Sequence, residues 1–132
     1  MKKRLGFIIV SFLLLSSCRD QPKKNDAGII TIANGQMPAI TADDVHSLNI
    51  VFGRGDSIMY TASDKTGSSF SLPVIIDTLH GLVASATRGP QISTTKNGLA
   101  IIAVNKNGDI FSYTKDTAGK WNRAGKVNDA DT

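Results

Sequence analysis

The chain contains no glutamate: all 11 acidic residues are aspartate. Aspartate favours turns where glutamate favours helices. With 12 glycines beside it, this composition predicts strands joined by tight turns. No stretch after residue 27 has amphipathic-helix spacing. There is one cysteine, Cys18, so an intramolecular disulfide is excluded. His46 and His80 lack metal-ligand spacing, and no further Cys or Glu completes a set. No metal or other cofactor is therefore expected. Glycine-rich phosphate loops and nucleophile elbows are missing too. Clustered basic charge is absent from the body of the chain. Fifteen basic residues outnumber the acidic ones, for a formal charge of +4. Three of them, Lys2, Lys3 and Arg4, lie at the start, leaving 12 against 11 after residue 17. Nucleic-acid binding, which needs a basic surface, is not expected.

The start of the chain has a different character. Lys2, Lys3 and Arg4 precede an apolar run from Phe7 to Leu15, broken only by Ser11. That run is too short to span a bilayer, which takes about 20 apolar residues, and it suits the h-region of a signal peptide. Leu15-Ser16-Ser17-Cys18 resembles the bacterial lipobox. The resemblance implies a signal peptide over residues 1–17, diacylglyceryl transfer to the Cys18 sulfur, cleavage before it and acylation of the new amino terminus. Several acyl chains, palmitate among them, would make the anchoring stable. Residues 18–27 are polar and aperiodic and are expected to form a lipidated flexible tether. The implied localisation is export to a bacterial membrane. Because Arg19, not Asp, follows the cysteine, that membrane is expected to be the outer membrane or cell surface.

Residues 28–132 repeat with a shift of 52. Pro38-Ala39-Ile40 falls on Pro90-Gln91-Ile92, Ile50 on Ile102, Ile58 on Ile110, Asp64 on Asp116 and Gly67 on Gly119. One deletion later Phe70 falls on Trp121, and Ile76-Asp77 on Val127-Asn128. Each unit divides into four strands, near 38–42, 47–53, 57–62 and 69–76, then 90–94, 99–105, 109–114 and 121–127. Gly53-Arg54-Gly55-Asp56 and Asn105-Lys106-Asn107-Gly108 supply hairpin chemistry between them. A further strand, Gly28 to Ala33, precedes the first unit. Four-stranded units at this period are characteristic of propeller blades.

Two turns sharpen the comparison. Ala62-Ser63-Asp64-Lys65-Thr66-Gly67-Ser68-Ser69-Phe70 and Thr114-Lys115-Asp116-Thr117-Ala118-Gly119-Lys120-Trp121 resemble degenerate Asp boxes of sialidase-type propellers. The glycine is shifted by one, Ala62 replaces the family's Ser, and Phe70 replaces one Trp. The resemblance spans residues 28–132. It implies an all-β fold: two four-stranded antiparallel β-propeller blades, about 34–80 and 86–129, forming a partial sialidase-like propeller. In that family the Asp-box residues are structural and lie opposite the active site. Asp64, Gly67, Phe70, Asp116, Gly119 and Trp121 are therefore expected to build turns.

The resemblance places ligand binding at the other end, on the turns between second and third strands and on the inter-blade connection. Arg54, Asp56 and the stretch His80 to Arg88 fall there. Arg88 is suited to clamp a carboxylate bidentately, as sialidase arginines hold sialic acid. Arg54-Gly55-Asp56 also spells an adhesion tripeptide. Asp43, Asp44 and His46 are expected to be turn residues. Sialidases imply three arginines, an acid/base aspartate, and a tyrosine nucleophile activated by a glutamate. Without glutamate that set is incomplete, and Tyr60 and Tyr113 fall in third strands. The expected function is thus a membrane-anchored fragment of a glycan-binding or glycan-hydrolysing protein, inactive alone. The alternatives are a non-enzymatic binding or scaffold module and an unrelated β-sandwich. The expected partners are the membrane, glycans, and other copies through unpaired blade edges.

Overall fold

A computed structural model describes residues 23–24 and 28–128. Residues 1–17, expected to be a signal peptide, Cys18, most of the segment read as tether and Asp129 lie outside the described residues. Ten strands and no helix occur among those described. The first two, β1 (Lys23–Lys24) and β2 (Ile30–Thr31), pair with each other. The strand expected over Gly28 to Ala33 is therefore two residues long, and its partner lies in the segment read as tether.

Two four-stranded antiparallel sheets follow. The first has the order β3 (Gln36–Ala42), β4 (Leu48–Arg54), β5 (Ser57–Ala62), β6 (Val74–Thr78). The second is built from β7 (Gln91–Thr95), β8 (Gly98–Val104), β9 (Ile110–Lys115) and β10 (Trp121–Lys126) in the same sequential order. Strands β4 and β8 are the most continuously apolar, and each lies inside its sheet with a neighbour on both sides. The sheets meet at their first strands, β3 against β7. They are not closed into a ring.

Within the two four-stranded sheets, one strand departs from the sequence expectation. The fourth strand of the first unit starts at Val74 instead of residue 69, leaving only an isolated bridge between Ser63 and Phe70. Leu72-Pro73 explains the gap. Proline has no N–H for the ladder and restricts the residue before it. In the second unit the matching place is a bulge between Arg123 and Gly125, which the strand survives.

The ladders also refine the repeat. Asp64 and Asp116 open equivalent turns, so Tyr60 corresponds to Ser112 and Thr61 to Tyr113. Tyr60 pairs with Val51, and Ser112 with Ile102, so Val51 corresponds to Ile102. Ile50 likewise corresponds to Ile101, one residue from the match expected at a uniform shift of 52. The turns account for this. Five residues separate Ala42 from Leu48 against four between Thr94 and Leu99. The next turn reverses the difference, with four between Gly53 and Ile58 and five between Val104 and Ile110.

This register decides how the sheets stack. Tyr60 touches the Trp121 ring, so Tyr60 and its ladder partner Val51 face the second sheet. Tyr113 bonds to Asp77, so Tyr113 and its partner Ile101 face the first. Side chains alternate along a strand, which turns Ser112 and Ile102 outward. The counterparts of the residues facing inward from the first sheet thus face outward from the second. The sheets stack head to tail, the heterologous arrangement, unlike the self-matching faces of a two-fold sandwich. Val51, Ile58, Ile101, Ala103 and Tyr113 fill the space between them, with Leu79, Leu82 and Ala84 of the connection. Gly53 is needed beneath that connection, because a Cβ there would run into Ala84.

Candidate functional site

Four turns share one device. An Asx side chain accepts backbone N–H groups two and four residues ahead of it, an interaction open to short Asx side chains. Asp64 Oδ1 accepts from the N–H groups of Thr66 and Ser68, both at 3.0 Å. Its Oδ2 takes the Ser69 hydroxyl at 2.8 Å. The Ser69 and Thr66 hydroxyls, with the two amides, hold its carboxyl down at about 2. Asp116 accepts the Lys120 N–H at 2.8 Å and the Asn122 amide at 3.1 Å, and these lower its pKa as well. Asp43 caps Val45 and Ser47, and Asn105 caps Asn107 and Asp109. Gly67 and Gly119 take φ of +69° and +84° at the turn position that needs it. Asp64, Gly67, Asp116 and Gly119 therefore build turns. Trp121 packs edge-to-face on Tyr60, with centroids 5.1 Å apart, and its buried Nε1 has no acceptor among the described residues.

At the opposite end the connection folds against both hairpins. Asp56 Oδ1 accepts the Gly81 N–H at 3.1 Å, Asp56 Oδ2 lies 3.2 Å from His80 Nδ1, and the Asp56 carbonyl accepts the Leu79 N–H at 2.8 Å. Lys106 N–H donates to Gly81 O at 2.8 Å. Asp56 thus ties the connection to its hairpin. Arg54 Nε donates to Asn34 O at 3.0 Å, with the guanidinium 5.8 Å from the Phe52 ring centroid. Arg88 is exposed and closes a tight turn in which Ser85 and Arg88 exchange backbone hydrogen bonds. The two arginines do not converge. Arg54 borders a shallow hollow of about 530 Å³ with Asn34 and Gln36. Arg88 borders a separate one of about 420 Å³ with Gln91, Ile102 and Val104. The Arg54-Gly55-Asp56 turn carries one residue bonded to Asn34 and one bonded to Gly81.

Between the sheets lie the polar contacts that the sequence does not announce. The buried Tyr113 hydroxyl donates to Asp77 Oδ2 at 3.0 Å, and Arg123 Nη1 stands 3.6 Å from the same oxygen. Burial, then the Asp77 bond, push the Tyr113 phenol up to about 12. At the end that carries the Asp64 and Asp116 turns, Lys115 Nζ donates to Tyr60 Oη at 3.1 Å, and Tyr60 donates to Asn49 Oδ1 at 2.6 Å. Lys115 also lies 4.7 Å from the Tyr60 ring centroid, a cation–π distance. A cleft of about 450 Å³ opens beside it, bordered by Asp43, Lys96, Lys115 and Asp116. Asp77, Lys115 and Asn49 are invisible in the sequence as partners, since their tyrosines lie 36, 55 and 11 residues away. Asp77 leaves one trace, as the position matched to Asn128 in the repeat. No group of three His, Cys, Asp or Glu side chains suited to a metal occurs among the described residues.

No protein-family model matches the chain, and no curated protein is significantly similar to it. Both tyrosine hydroxyls are committed to contacts between or within the sheets. Asp56 and Arg54 are each bonded to backbone. Of Arg54, Asp56 and Arg88, only the exposed Arg88 makes no side-chain hydrogen bond among the described residues, and it borders a hollow.

Proposed function

We propose that this chain is an exported lipoprotein, held on a bacterial membrane through lipid on Cys18. Its two sheets are consecutive blades of a sialidase-like propeller, and they work as a surface binding or scaffold module without glycosidase chemistry of their own. The observation that carries the blade reading is the head-to-tail stacking. Blades around a propeller axis each present one face forward and the opposite face backward, and counterparts such as Tyr60 and Ser112 follow that rule here. The Asx turns at matching places and the contact between first strands add support. The absence of catalysis rests on chemistry. A sialidase nucleophile needs a free tyrosine next to a glutamate. Tyr60 and Tyr113 are buried and bonded, and the chain has no glutamate.

Exposed Arg88 favours a second reading, in which the blades belong to a glycan-binding protein, because a guanidinium matches a sugar carboxylate. One set of experiments addresses both. Cells given a clickable fatty acid are expected to label the wild-type chain in the membrane fraction, and Cys18→Ser is expected to carry no label. Label retained on Cys18→Ser removes the anchor from the proposal. Hydrolysis of a fluorogenic sialoside by the purified chain would overturn the non-catalytic assignment. Sialoside binding lost in Arg88→Ala would favour the second reading.

A further inference from the structure

We propose that the outward face of the second sheet is the docking site for the back of the first sheet of another copy of this chain, so that copies assemble head to tail. The inference rests on the blade reading and extends it. The internal interface already shows what such a contact looks like. In it, Val51 and Ala39 on the forward face of the first sheet meet Ile101, Ile92 and the connection residues Leu82 and Ala84.

Each side of that interface has a counterpart that is open in part among the described residues, although Phe52, Met59 and Thr61 on the back of the first sheet are buried. The forward face of the second sheet carries Ile102 where the first carries Val51, and Ile110 where the first carries Ile58. Ile102 is 48 % exposed there. The back of the first sheet carries Ile40 where the second carries Ile92, and Ile50 where the second carries Ile101. Ile40 is 60 % exposed. The segment before it supplies Ile30 and Ile32 at the places that Leu82 and Ala84 hold in the internal contact, one repeat on. These isoleucines border an apolar hollow of about 230 Å³ with Ile50 and Phe52. The facing hollow on the second sheet, beside Ile102 and Val104, is the one bordered by Arg88.

A second copy therefore repeats an interface the molecule has already built, apolar position for apolar position. Such a contact is heterologous: it leaves one free face on each end, and so it grows until it closes. It is weaker than the internal one. Asp77 bridges to Tyr113 and Arg123 inside the chain, whereas the corresponding places hold Asn128, Thr61 and Leu72. Assembly is accordingly expected to be reversible and concentration-dependent.

The test uses the whole lipidated chain in density-matched detergent, followed by sedimentation across the micromolar range. Wild type is expected to associate. Ile102→Lys and Ile40→Lys, each placing an unpaired charge in the contact, are expected to weaken association at least about tenfold. The decisive arm mixes the two variants. Each keeps one intact face, so the mixture is expected to form a dimer and to stop there. A mixture that stays monomeric while wild type associates would show a self-matching contact and overturn the proposal. So would a wild type that remains monomeric throughout, the face then being free for a blade of a longer polypeptide. The Tyr60–Trp121 contact, followed by aromatic NMR, separates the two levels. Monomers that keep it overturn only the assembly, while a wild type without it overturns the blade reading beneath.

Discussion

Replacing Tyr113 with phenylalanine is expected to remove a pH-dependent tie between the sheets. Tyr113 is 1 % exposed and donates to Asp77 at 3.0 Å. Its phenol is pushed up to about 12, against the ordinary 10.0, first by burial and then by the bond to Asp77. That difference corresponds to about 3 kcal/mol. Below pH 10 the phenol is protonated in both folded and unfolded chains, and this stability is fully present. Between pH 10 and about 12 the unfolded phenol ionises while the folded one resists, so the stability drains away. The Phe variant lacks the titration and lacks the bond. A hydrogen bond to a charged acceptor is worth roughly 1.5–3 kcal/mol. Asp77 is 29 % exposed and keeps Arg123 at 3.6 Å, which places the loss near the low end, about 1–2 kcal/mol. Urea unfolding followed by the single tryptophan, Trp121, measures both chains at pH 8, 10, 11 and 12. Wild type is expected to lead by about 1–2 kcal/mol at pH 8, to lose the lead near pH 11, and to fall behind by pH 12. Other ionisations are common to both chains and cancel in the difference. A gap that stays constant from pH 8 to pH 12 would refute the reasoning.

Three further outcomes are expected. Asp64→Ala removes a carboxylate held at about 2 by its turn. Wild-type stability from this group is present above pH 4 and falls as pH drops toward 2, so the variant should show a shallower acid limb in thermal melts. Gly53→Ala forces a Cβ into Ala84 and is expected to cost about 1–3 kcal/mol, with partial recovery in Gly53→Ala/Ala84→Gly; full stability of the single variant would contradict the packing. Ile101→Ala, at a fully buried position, is expected to cost about 2–5 kcal/mol, while Ile102→Ala next to it costs the monomer under about 1 kcal/mol. Equal losses at the two positions would reverse the assignment of faces.

The two sheets are legible in the sequence because turn chemistry survives in both units. Asp64 and Asp116 stand where short side chains cap backbone amides, and apolar runs such as Ile50–Phe52 and Leu99–Val104 read as inner strands. What the sequence leaves open lies in two kinds of place. Compensating one-residue differences in neighbouring turns shift β8 against β4 while keeping the overall period, so a uniform shift of 52 sets Ile50 on Ile102 although its counterpart is Ile101. Alternation makes that single residue the difference between an inward and an outward face. Contacts between the sheets are the other case. Nothing local marks Asp77 as the partner of Tyr113, or Lys115 as the partner of Tyr60. Of the nominated ligand residues, Arg54 and Asp56 are positioned by backbone groups from distant segments, Asn34 and Gly81, which motif spacing does not reveal.

The head-to-tail stacking of the sheets is tested most directly by methyl and aromatic NOEs on the full chain. Contacts are expected from Tyr60 to Trp121 and from Val51 to Ile101, with Ile102 touching nothing on the forward face of the first sheet. Cross-peaks linking Val51 to Ile102 would place the counterpart faces together as a two-fold sandwich and contradict the head-to-tail stacking.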